Sequence, residues 1–154
     1  MSEEILKALT QLFAIITKQD GGVTEKERKF VIDFFRKELD QESVSEYLKL
    51  YDQYSGYNSD GKEQQETSKR KLTSVRDSVK TLGLCKKINK TLTQKQKVVV
   101  LLRLFEIINV DRKFTDQRMA IINTVAEVFN ISQDEFKSIE HVASSQIIDV
   151  RRLI

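Results

Sequence analysis

The chain has no proline and no tryptophan, a single cysteine and histidine, and only 5 glycines in 154 residues. Proline and glycine are the strongest helix breakers, so their scarcity predicts helices with few forced interruptions. Cys85 stands alone, which excludes an intrachain disulfide and with it a small bridged scaffold of the secreted kind. His141 is the only histidine, so histidine-rich zinc sites have no ligands and a His-containing triad has one candidate ring. No apolar run approaches the roughly 20 residues that span a bilayer. Glu3 and Glu4 stand where a secretory leader would be positively charged. Together these absences predict a cytoplasmic protein. Gly-rich phosphate loops, nucleophile elbows and zinc-ligand spacings are also missing, so no enzymatic activity is expected.

What remains is apolar residues and charge, at 40% and 32% of the chain. That balance fits a folded globular protein rather than a disordered one. The length is most simply one domain, 1–154, large enough to bury roughly 68–70% of its unfolded surface. The apolar end at Arg151-Arg152-Leu153-Ile154 is compatible with an N-terminal domain that continues into a longer protein. The net charge of +3 conceals a polarised pattern. Residues 1–67 carry 9 basic against 14 acidic side chains, residues 68–103 carry 11 against Asp77 alone, and residues 104–154 carry 6 against 8.

Apolar spacing of three and four predicts an all-α bundle of seven or eight helices. Ile5, Leu9, Leu12, Phe13 and Ile16 make the first stripe, which Gly21-Gly22 ends. Thr24 to Glu27 is a capping box opening a second helix with Phe30, Val31, Phe34, Phe35 and Leu39 inward. Ser43 to Glu46 reads as another box, before Tyr47, Leu48 and Tyr51. Residues 55–66 lack periodicity and are rich in turn formers, so a flexible loop is expected there. A long pattern follows through Leu72, Val75, Val79 and Leu82, with Gly83 expected to bend or interrupt it. Thr93 to Gln96 caps the run from Val98 to Ile108, which is too long for a strand and reads as the central, most buried helix. Thr115 caps a helix burying Met119, Ile122, Val125, Ala126 and Phe129. Ser132 opens a short one with Phe136 and Ile139, and residues 145–154 are amphipathic.

The chain also echoes itself. Leu12-Phe13-Ala14-Ile15-Ile16 leads to Asp20-Gly21-Gly22-Val23-Thr24-Glu25, and Leu104-Phe105-Glu106-Ile107-Ile108 leads to Asp111-Arg112-Lys113-Phe114-Thr115-Asp116. Each copy is an apolar helix, a turn opening with Asp, an apolar residue and a Thr N-cap. A pseudo-twofold helical domain follows, with two acidic turns able to face one another. The first turn, Asp20 to Glu27, resembles the signature of the TerB-like tellurite-resistance family, and the second resembles that family's second copy. The resemblance spans most of the chain. It implies a helical bundle with acidic residues clustered on one charge-polarised surface and a role in divalent cation binding (Ca, Mg or Mn). The matching positions are Asp20, Glu27 and Asp111, with Glu25 and Asp116 as accessory acids. Carboxylates in number suit such hard cations. The second copy departs from the pattern, with Arg112 in place of Gly and Arg118 in place of Glu. Guanidiniums there oppose a cation and offer ion pairs with the carboxylates instead. Local capping by the turn Asp residues is the plainer alternative. Neither turn has the alternating ligands of an EF-hand.

The basic segment presents Arg76, Lys80, Lys86, Lys87 and Lys90 as an interaction face for a protein partner or a fused C-terminal domain. Peripheral membrane association is compatible with it, whereas nucleic acid is disfavoured because no aromatics are interleaved for stacking. Cys85 lies beside Lys86 and Lys87, which could lower its pKa, although a small helix-packing residue is the simpler reading. Tyr47, Tyr51, Tyr54 and Tyr57 could form a partner-facing patch, with packing the simpler reading for the first two. The expectation is a non-enzymatic interaction or sensing module of the stress-response type. The alternatives are a metal-dependent hydrolase using Asp20, Glu27 and Asp111, or a nucleic-acid binder using residues 68–103.

Overall fold

The computed structural model describes residues 3–19, 22–57 and 67–153, the side chains of 67–75 and 144–153 excepted. The described residues form α1 (Glu3–Thr17), α2 (Glu25–Glu38), α3 (Gln41–Ser55), α4 (Thr67–Asn89), α5 (Gln94–Asn109), α6 (Asp116–Val128) and α7 (Gln133–Leu153), with no strand among them. Asp20, and all but 55–57 of the segment expected to be a loop, lie outside the described residues.

Caps set most helix starts. Thr24 and Thr93 close capping boxes with Glu27 and Gln96, and Thr115 accepts from the Arg118 N–H. Ser132 and Glu135 cap α7 in the same reciprocal way. At α3 the cap is Asp40, not Ser43: the Asp40 carboxylate accepts the Ser43 N–H at 2.8 Å, so the helix starts earlier than the expected box. A carboxylate there also meets the positive end of the helix dipole, and the contact lowers the Asp40 pKa.

The packing repeats in two halves. The α1 helix packs on α3 as α5 packs on α7, and α1 and α5 pack on each other. Each second helix then crosses over, α2 to α5 and α6 to α1. That reciprocity is the pseudo-twofold relation expected from the echo, with α4 laid against α1 and α6. The most buried helix is α1 rather than α5. It packs on α3, α4, α5 and α6 and buries 11 of its 15 residues, whereas α5 buries 7 of 16. Val98 and Val99 sit at the open end of α5, and Arg103 and Glu106 keep one side partly wet.

Aromatic rings fill the first half. Phe13 meets the edges of Phe30 and Phe34, with centroids at 6.1 and 5.4 Å, and Phe35 tilts against Tyr47 at 5.7 Å. The second half holds the Phe105–Phe136 pair at 5.4 Å. Each such pair adds roughly 0.5–1.5 kcal/mol beyond its buried area.

Three further expectations are corrected. The α4 helix runs through Gly83, where no atom lies within 4 Å of a built Cβ, so the glycine costs helix propensity without forcing a break. Val79 and Leu82, two members of the apolar pattern in this helix, are exposed at 67% and 37%, so the pattern does not mark a buried face there. Helix α7 is one element of 21 residues instead of a short helix and a separate tail, because no breaker separates its two apolar patterns.

Candidate functional site: the paired turns and the outer face of α4

The two turns meet across the molecule. The Thr24 hydroxyl accepts the Glu27 N–H at 3.1 Å and donates to Asp111 Oδ2, joining the first turn to the second. Glu27 Oε1 accepts the Thr24 N–H at 3.0 Å. Glu27 then turns inward, fully buried, and its Oε2 lies 2.6 Å from Nη1 of Arg118, which is itself fully buried. The second guanidinium nitrogen donates to the carbonyl of Thr17, the last residue of α1, at 3.0 Å and to that of Gln19, two residues beyond, at 3.4 Å. One side chain from α6 thus pairs with an acid of α2 and caps α1. Breaking a buried pair by removing one partner costs about 3–5 kcal/mol, because the remaining charge is left without solvent.

The sequence-derived acids fall into two groups. Glu27 and Asp111 are brought together through Thr24, while Glu25 and Asp116 are exposed on the first turns of α2 and α6. Among the described residues, no group of three or more His, Cys, Asp or Glu is placed to hold a metal ion. Backbone shape also separates the turns. Gly22 takes φ of 89° in the first, and Arg112 takes φ of 54° in the second, a left-handed conformation that L side chains enter only at a cost.

The first turn is tied to α4 as well. Asp77, buried at 3% exposure, accepts from Lys18 Nζ at 2.9 Å and from Gln19 Nε2 at 2.8 Å. On the opposite side of α4, Arg76, Lys80, Lys86 and Lys87 are exposed, and Lys90 is exposed just past the helix end. At 100° per residue these five positions share one arc with exposed Val79, Leu82 and Gly83. Lys80 lies over the Tyr54 ring, 4.9 Å from its centroid, which fixes one end of the arc against α3. Arg28 makes a bidentate pair with Asp52, at 3.0 and 2.9 Å, beneath the Tyr57 ring at 4.7 Å.

Tyr47 and Tyr51 are core residues. The Tyr51 hydroxyl bonds Thr17 Oγ1 at 2.7 Å, and burial holds its phenol well above the usual range. Cys85 is fully buried, and burial pushes its thiol up to about 12, opposite to the activation that neighbouring lysines suggest. Those lysines point outward from the same helix.

The sequence offers Arg118 as an ion-pair partner of the turn carboxylates, and the structure pairs it with Glu27; its full burial and the inward turn of Asp77 escape a reading by composition. Arg118 has a positional signal: it precedes Ile121 and Ile122 by three and four, so it occupies the apolar register of α6. Asp77 has another, as the lone acid in a basic segment. The carbonyls of Thr17 and Gln19 leave no signal in side-chain identity.

Two helix–turn–helix halves joined through their turns, with α4 against them, define an all-helical domain with a paired-turn centre. A family model described as Tellurite resistance protein TerB matches residues 6–141, most of the chain, and the chain belongs to that family. No curated protein and no solved structure matches it. No helix among the described residues is long and apolar enough to cross a membrane.

Proposed function

We propose that this chain is a non-enzymatic interaction module of the tellurite-resistance type, acting in a cytoplasmic stress response by docking an acidic protein segment on the outer face of α4. The observation that carries this reading is the composition of that face. Arg76, Lys80, Lys86, Lys87 and Lys90 are exposed there, and the one acid of the described stretch, Asp77, is turned inward. Val79 and Leu82 lie within the same arc, and exposed apolar side chains call for an apolar counterpart as well as negative charge. An amphipathic acidic helix supplies both, whereas a phosphate backbone supplies charge alone.

The test is a binding titration with three probes at matched charge: an amphipathic Glu/Leu helical peptide, duplex DNA, and vesicles of anionic lipid. The peptide is expected to bind, with loss in Lys86→Glu/Lys87→Glu and weakening in Val79→Ser at unchanged charge. Val79→Ser separates apolar docking from pure charge attraction. Equal or tighter binding of DNA or vesicles, insensitive to Val79→Ser, overturns the reading.

A further inference from the structure

We infer that the Arg118 guanidinium is the resident cation of the paired turns, occupying an oxygen-lined cage between them and excluding a divalent ion from that place. The inference stands apart from the docking face on α4. The hydrogen-bond partners of the guanidinium among the described residues are oxygens: both carboxylate oxygens of Glu27, at 2.6 Å from Nη1 and 3.5 Å from Nη2, and the carbonyls of Thr17 and Gln19, at 3.0 and 3.4 Å from Nη2. Asp111 closes the neighbouring wall through Thr24. Carboxylates together with free carbonyls at a helix end are the donors a hard cation takes. Here a monovalent planar one is delivered by the chain itself.

The divalent cation implied by the family resemblance does not fit the described residues. Arg118 is fully buried and cannot swing out to solvent without opening the core, and it engages both oxygens of Glu27. Its Nε is buried with no hydrogen-bond partner among the described residues. Arg118 also stands at the position where the resembled motif has Glu. Exchange of a carboxylate for a guanidinium removes one anionic ligand and adds a positive charge, changing a site that needs a cation into one that contains it.

The experiment is thermal unfolding with calorimetric titration of Ca²⁺, Mg²⁺ and Mn²⁺, on the wild type, Asp111→Asn, Arg118→Gln and Arg118→Gln/Asp111→Asn. The wild type is expected to show no binding at these turns and no shift of its midpoint in millimolar cation. Arg118→Gln is expected to lose roughly 10 °C, and to regain several degrees with a divalent cation, a response that the added Asp111→Asn diminishes. If Arg118→Gln does not fold alone, cation-induced helicity followed by circular dichroism takes the place of the midpoint. Cation binding by the wild type that disappears in Asp111→Asn overturns the inference. So does an Arg118→Gln protein that no cation stabilises or folds, since the cage then has no affinity for a free ion.

Discussion

The two turns share one sequence pattern but do opposite electrostatic work. The first supplies an anion, Glu27, anchored by its own capping box; the second supplies a cation, Arg118, from the same position of its helix. In the first turn the third residue after the Thr cap completes a local motif before it reaches across the molecule. In the second, the cap is a single bond from the Arg118 N–H to Thr115, leaving the side chain wholly free for the long-range contact. A repeat can thus keep its backbone grammar while the two copies diverge into halves of one ion pair. The difference also fixes register: an anion and a cation meet once, whereas two glutamates would repel unless an ion came between them.

The largest expected effect comes from removing one half of that pair. Arg118→Met leaves the Glu27 carboxylate buried without a counter-charge and should cost about 3–5 kcal/mol in urea unfolding. The pair Arg103–Glu106 is the control. It lies within one helix and is partly exposed, so Arg103→Met should cost under about 1 kcal/mol.

Next come the two caps. Thr24 caps α2 and also donates to Asp111, while Thr115 only caps α6. Thr24→Val should therefore cost about 2 kcal/mol and Thr115→Val about 1 kcal/mol, read as midpoints in the same denaturant. Equal costs would mean that the Thr24–Asp111 bond adds nothing to the joining of the turns.

A smaller change addresses backbone shape. Arg112→Gly gives the second turn the residue its left-handed φ favours, and should be neutral or stabilising by up to about 1 kcal/mol. Destabilisation would show that the Arg112 side chain has a contact of its own. The smallest effect is with pH. Burial raises the Glu106 carboxyl above its usual range, against the opposing pull of Arg103. A raised acid binds its proton more tightly folded than unfolded, so its deprotonation costs stability as pH rises through the raised value, and stability returns on acidification. Glu106→Gln should flatten that dependence between the ordinary carboxylate range and slightly above it.

Much of the fold was legible because local rules and packing agreed. Thr24, Thr93, Thr115 and Ser132 mark helix starts, and the spacing of Leu12, Phe13 and Ile16 marks a buried face. The echo of the Asp turns pointed to a pseudo-twofold bundle, and the reciprocal packing of the two halves has that relation. Errors arose where two local signals competed. Asp40 outcompeted Ser43 because a carboxylate just before the helix reaches the same N–H group with a charge. Gly83 did not break α4 because it faces open space, where tertiary packing of its neighbours overrides a propensity cost of about 1 kcal/mol. An ion pair between a turn carboxylate and Arg118 was legible in the sequence, but its complete burial was not. Sequence reasoning places charged residues outside by default, and Arg118 is tolerated inside only because Glu27 and two carbonyls, from distant stretches of chain, converge on it.

The most direct test of this account is a double-mutant cycle on Glu27→Gln and Arg118→Met, measured by urea unfolding. Coupling of about 2–3 kcal/mol is predicted, with the double variant far less destabilised than the sum of the singles. Additivity within about 0.5 kcal/mol would contradict it, because the two turns would then be held together by something other than this buried pair.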